Sequence, residues 1–118
     1  MLNFSVVREQ SGVVVCRTTA SLTDQESLSF AQAVFELVSD DARADRQSRL
    51  LFDNREGVVF SAGALQHLNN TLKSTIRPGN RAAVLVTNSL IKVQAKRNMS
   101  EGTEVFLSEN AARTWLSA

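Results

Sequence analysis

The sequence predicts a single α/β domain over residues 1–118, with one mixed, mostly parallel five-stranded sheet and four helices in the order β-β-α-β-α-β-α-β-α. Three observations carry this. Short apolar runs, "GVVVC", "RLLFD" and "RAAVLV", alternate with stretches of helical periodicity. Strands that alternate with single helices imply right-handed crossovers and a parallel sheet. The first two extended segments are separated by only "EQSG", a hairpin-length link that makes the first strand antiparallel and leaves it at an edge.

Each element has its own warrant. In residues 3–8, Phe4 and Val6 alternate with polar neighbours, the pattern of a half-exposed edge strand. Residues 12–18 hold a continuous β-branched run, the pattern of a strand covered on both faces, and Gly12 suits the reversal before it. Thr23-Asp24-Gln25-Glu26 has the form of a capping box. Leu28, Ala31, Val34, Phe35 and Val38 then recur at helical spacing, so 24–39 reads as an amphipathic helix, and "SDDARADRQ" reads as a polar connection. "RLLFD" is the third strand. Ser61 can cap a second helix striped by Leu65, Leu68, Leu72 and Ile76, which "RPG" at 77–79 ends. "RAAVLVT" is the fourth strand, and Asn88 or Ser89 can cap a third helix to about Arg97. "TEVFLS" is a short fifth strand, and Ser108 caps a last helix carrying Ala112, Trp115 and Leu116.

Composition narrows the function classes. Apolar residues at 43% and charged residues at 21% are globular values. The single cysteine, Cys16, forms no internal disulfide and no cysteine-based zinc cluster. The start, "MLNFSVVREQ", shows no secretory pattern, and no apolar run reaches membrane-helix length. The expected setting is cytoplasmic, and an integral membrane protein is not expected. Net charge is +1, but no acid occurs between Glu56 and Glu101, where Lys73, Arg77, Arg81, Lys92, Lys96 and Arg97 fall. This basic region lacks a dense cluster and interleaved aromatics, so it reads as a solvated face and no nucleic-acid partner is expected.

Ligands of open α/β sheets gather outside the carboxyl ends of the strands. Here the most charged of those ends is Asp53-Asn54-Arg55. Asp53 can hold a partner's cation and Arg55 an anion; equally, Asp53 or Asn54 can turn the backbone through its own side chain while Arg55 is solvated. Beyond Gly57, Val58-Val59-Phe60 either tuck under the following helix or form an exposed contact patch. One carboxylate without a second ligand nearby does not make a metal site. No phosphate-binding glycine fingerprint occurs, and no cofactor is expected. Catalysis would need His67 beside Asp53 or Cys16, and a cysteine within an apolar strand is ordinarily inert.

The third-strand loop "LLFDNREG", the run "RAAVLV" and the ending "VFLSENAARTWL" together resemble the SpoIIAA-like proteins of the STAS superfamily, whose fold is similar to the Sec14-type lipid-binding domain. The resemblance covers essentially the whole chain. In anti-sigma-factor antagonists of that superfamily, a serine or threonine follows an aspartate after the third strand, and its phosphorylation controls binding to a partner kinase. Asp53 matches that aspartate and Gly57 matches the closing glycine, but Asn54, Arg55 and Glu56 offer no hydroxyl; the nearest is Ser61. The resemblance implies a non-enzymatic regulatory module with a protein partner, without the usual phosphorylatable serine. Its contact surface is expected at Asp53, Asn54, Arg55, Gly57, Val58, Phe60, Ser61 and Asn88. On this reading Arg55→Glu weakens partner capture and spares thermal stability. The alternative is a carrier of a small lipophilic or anionic ligand, as the Sec14-like likeness allows. An exposed first strand also invites pairing into a homodimer.

Overall fold

The computed structural model describes residues 3–19, 22–56, 79–96 and 102–118. Strands β1 (Phe4–Arg8) and β2 (Val14–Thr18) form the expected hairpin. Gly12 closes it at φ +94°, where a side chain would be strained, and donates its N–H to the Glu9 carbonyl at 2.9 Å. Helix α1 (Asp24–Arg43) follows, then β3 (Arg49–Asp53), β4 (Arg81–Leu85), α2 (Ser89–Lys96), β5 (Thr103–Phe106) and α3 (Glu109–Ser117). The described residues thus contain three helices. The helix expected from Ser61 to Ile76 lies outside them, as do His67, Lys73, Arg77 and Arg97.

The sheet order is β1-β2-β3-β4-β5. β1 runs antiparallel to β2 (Val6 opposite Cys16), and each later pair is parallel, with Cys16 beside Phe52, Phe52 beside Val84 and Val84 beside Val105. Alternate side chains therefore feed two cores. On one face Val14, Cys16, Leu50, Phe52, Val84 and Val105 pack with Phe30, Val34 and Val38 of α1. Phe30 stands edge-on to both Phe4 and Phe52, at centroid distances of 5.3 and 6.2 Å. On the other face Val13, Leu51, Ala83 and Leu85 pack with Ala112 and Leu116 of α3.

Two sequence expectations about α1 need correction. Its capping box forms as read: the Thr23 hydroxyl accepts from the Glu26 N–H at 3.1 Å and the Glu26 carboxylate accepts from the Thr23 N–H at 3.0 Å. The helix, however, runs past 39 to Arg43, so half of the expected polar connection is helical. Asp41 is buried there, accepting from the Ser48 hydroxyl at 2.9 Å with Arg8 at 2.9 Å and Arg46 at 3.3 Å, and Asp45 at φ 56° turns the chain away. The second correction concerns the buried stripe. It is Ser27, Phe30, Ala31, Val34, Val38 and Asp41, whereas Leu28 and Phe35 face outward. A stripe through Phe30 aligns with the Phe4–Phe30–Phe52 stack, and Leu28 and Phe35, seven residues apart, cannot share that side.

The ends of α3 are held by arginines. Arg49 and Arg81 are direct neighbours across the β3–β4 pair, a repulsive arrangement in isolation. Each instead donates to the exposed carbonyls at the end of α3: Arg49 Nε to Leu116 O at 2.9 Å and Arg81 Nη1 to Trp115 O at 2.6 Å. Arg81 also lies over the Trp115 ring at 5.3 Å. Cations at the negative end of a helix are favourable, which converts two like charges into a clamp.

Candidate functional site

The carboxyl ends of β2 to β5 form one rim, because the strands are parallel and adjacent. Asn54 ties three of those ends together. Its N–H donates to Leu85 O at 3.1 Å, and its Oδ1 accepts from the Thr18 hydroxyl at 3.2 Å.

Asp53 beside it is 4% exposed. Its Oδ1 accepts from the Arg55 N–H at 3.2 Å, which is the side-chain turn foreseen from the sequence. The Arg55 guanidinium then closes a fork on the same carboxylate, Nε to Oδ1 at 2.9 Å and Nη2 to Oδ2 at 2.8 Å. Arg55 is therefore not simply solvated. Its Nη2 also reaches Glu109 Oε1 at 2.8 Å, in the first turn of α3. Glu109 Oε2 accepts from Arg113 Nε at 2.9 Å, and Arg113 donates through both terminal nitrogens to Glu9, at 2.7 and 3.1 Å. Arg17 stands 3.4 Å from Asp53 at the other end. The result is a continuous chain, Arg17–Asp53–Arg55–Glu109–Arg113–Glu9, from the rim along α3 to the hairpin.

The alternation of signs sets the protonation states. The Arg55 fork holds Asp53 below its ordinary value of 3.8 against the opposing effect of burial. Hydrogen bonds from Arg113 lower Glu9 and, with those from Arg55, Glu109. Both arginines are raised, Arg55 chiefly by Asp53 and Arg113 chiefly by Glu9. These shifts keep Asp53, Glu109, Glu9, Arg55 and Arg113 ionised at neutral pH, and the alternation of acids and arginines compensates charge along the chain.

Such an arrangement anchors a loop and leaves no group poised for proton transfer. Cys16 is fully buried, and desolvation pushes its thiol up to about 12, far from a usable nucleophile. Among the described residues no three His, Cys, Asp or Glu side chains converge as metal ligands. No described helix is long and apolar enough to cross a membrane.

Of the residues singled out from the sequence, the structure brings Asp53, Asn54 and Arg55 together at the tip of β3. Asn88 lies beyond β4 on the same rim, exposed, its carbonyl accepting from the Lys92 N–H at 3.1 Å as α2 begins. Gly57, Val58, Phe60 and Ser61 lie outside the described residues. Sequence reading missed the exposed apolar side chains that follow β4 and β5: Leu90 is 69% and Val93 52% exposed on α2, and Leu107, just past β5, is also exposed. Leu90 and Val93 are three apart on α2 and share a side of it. Their spacing looks like that of core residues, which is why it gave no signal.

No family model matches the chain, and no curated protein matches it. Solved structures do. A protein provisionally assigned as an anti-sigma factor antagonist, from Thermotoga maritima, superposes with a TM-score of 0.71 at 14% identity, covering 98% of this chain and 95% of that one. An uncharacterised DUF3478-family protein with a SpoIIAA-like fold, from Shewanella loihica, superposes with a TM-score of 0.65 at 16% identity, covering 96% of this chain and 91% of its own. At these identities the likeness is one of fold, and the chain has a SpoIIAA-like fold.

Proposed function

We propose that this protein is a non-enzymatic regulatory module that captures a protein partner on the rim around α2. The observation that carries the reading is the exposure of three apolar side chains, Leu90 and Val93 on α2 and Leu107 just past β5, which follow the carboxyl ends of β4 and β5, where this class of fold gathers its ligands. Full burial of a leucine or valine side chain contributes about 1.5–3 kcal/mol, so two or three of them make a useful anchor. The fold shared with a protein provisionally assigned as an anti-sigma factor antagonist supports a partner-binding role.

In this reading the Asp53–Arg55 loop frames the surface. Its charges are spent on each other and on Glu109, so they orient the loop and contribute little attraction. Asn54 stands where the resemblance implies a phosphorylatable hydroxyl, and its amide is used to join strand ends. Binding here is controlled by something other than a phosphate at that position. Gly57, Val58, Phe60 and Ser61 follow this loop in the chain and belong to the same proposed surface.

The test is affinity capture from lysate of the source organism with the wild-type chain and with L90D/V93D. Both substituted side chains are exposed, so the melting temperature should stay within about 2 °C of wild type. A partner retained by the wild type and lost by the variant supports the rim; equal retention by both refutes it.

A further inference from the structure

We infer that β1 pairs with β1 of a second copy, antiparallel and centred on Val6, to join two sheets into one. The inference rests on the polarity of the hairpin. In an antiparallel ladder, alternate residues turn their N–H and C=O toward the same neighbour. Here the odd positions face β2: Asn3 O accepts from Thr19 N–H at 2.9 Å, and Glu9 N–H donates to Val13 O at 2.8 Å. The backbone groups of Phe4, Val6 and Arg8 therefore point away from β2, and β1 is the outermost strand. These three positions are symmetric about Val6. A two-fold axis there lets Val6 exchange a pair of hydrogen bonds with the partner's Val6, and lets Phe4 do so with the partner's Arg8, and Arg8 with the partner's Phe4. Shifting the register by two residues in either direction leaves one of the three without a match in the strand.

The edge lacks several of the usual defences against such pairing. Residues 4–8, "FSVVR", contain no proline, no lysine and no glycine. The only charge, Arg8, is drawn inward, with Nη2 at 2.9 Å from Asp41 and Nη1 donating to Gly12 O at 3.3 Å. On the face not covered by α1, Val7 is 56% exposed and sits beside half-buried Val15. Together with Ser5, Glu9, Arg17 and Arg113 they floor and rim a shallow depression of about 240 Å³. In the proposed register Val7 lies opposite the partner's Ser5, so the second copy covers apolar area that this copy leaves in water. A strand-to-strand contact is at the small end of interface sizes, below about 1,200 Å² in total, which suits reversible association in the micromolar range.

Ser5 and Val7 both point to solvent in the single chain, so replacing them should leave the fold intact. S5K/V7K sets the two introduced lysines opposite each other across the axis, and S5E/V7E does the same with glutamates. Sedimentation equilibrium across about 1–300 μM suits an interface of this size. The wild type should rise from 12.9 kDa toward twice that mass, while each variant stays at 12.9 kDa with an unchanged melt. Mixing the two variants should restore the dimer, because each lysine then meets a glutamate. A wild type that remains at 12.9 kDa throughout, a variant that dimerises within threefold of wild-type affinity, or a mixture that stays monomeric would each overturn the inference.

Discussion

Replacing Arg55 by methionine isolates the energetics of the rim loop. Asp53, 4% exposed, loses the guanidinium fork on its carboxylate and keeps Arg17 at 3.4 Å and the backbone N–H of residue 55 at 3.2 Å. Breaking a fully buried pair from one side costs roughly 3–5 kcal/mol. The Arg55 side chain is 37% exposed, so water already screens part of the interaction, and about 2 kcal/mol is the reasonable figure. The separate contact to Glu109, exposed on both sides, adds a few tenths of a kcal/mol at most. With an unfolding entropy of about 2.1 cal/mol/K per residue, 2 kcal/mol lowers the melting temperature of a chain this size by roughly 8 °C. The double variant D53N/R55M removes the stranded charge, and the asparagine can still accept the N–H of residue 55. It should therefore be more stable than R55M by at least about 1 kcal/mol, a coupling readable in a double-mutant cycle by urea denaturation. An R55M loss below about 0.5 kcal/mol, or a double variant weaker than R55M, would refute the claim that the loop is held by a buried charge pair. The same geometry overturns the expectation that Arg55→Glu spares stability, since the new carboxylate would face Asp53 and Glu109.

Further outcomes follow from the same contacts. Asp53, Glu9 and Glu109 have folded pKa values below their ordinary 3.8, 4.5 and 4.5, so their stabilisation is complete above about pH 5 and is lost as pH falls through the folded values; urea midpoints should be flat from pH 5 to 7 and drop below 4, less steeply in D53N/R55M. Gly12→Ala meets nothing within 4 Å but must hold φ +94°, costing about 1 kcal/mol. Gly102→Ala holds φ +85° and also brings its Cβ to 2.9 Å from the Asn80 carbonyl oxygen, so thermal melts should show a clearly larger loss than for Gly12→Ala. Trp115→Leu removes the ring under Arg81 and beside Phe106, and should cost about 2–3 kcal/mol in the same assay.

The sheet was legible because its signals are local. "GVVVC", "RLLFD" and "RAAVLV" each mark a strand by composition alone, and strands alternating with helices leave few topologies. The sequence left open whether Asp53 or Asn54 turns the chain; the Asp53 carboxylate does so by accepting from the N–H two residues onward, while Arg55 is paired and not simply solvated. What was not legible depends on groups far apart in the chain. Asp41 looked like part of a solvated connection because nothing nearby announces Arg8, which lies on another strand. Phe30 displaced Leu28 and Phe35 from the stripe because Phe4 and Phe52 wait for it across the sheet. At the site, Arg55 was readable as a charge on a loop. That it would join Glu109, Arg113 and Glu9 was not, since Glu9 and Arg113 are 104 residues apart in sequence. The apolar rim residues Leu90 and Val93 were hidden for the opposite reason: their spacing is that of an ordinary buried stripe.

The rim around α2 is the proposed place where a partner is held. The most direct measurement is quantitative capture from lysate of the source organism with three baits: wild type, L90D/V93D and S5K/V7K. A partner recovered with the wild type and S5K/V7K at similar yield, and at least tenfold less with L90D/V93D, is the expected result. Recovery of the same proteins by all three baits, with yields indistinguishable, would contradict it.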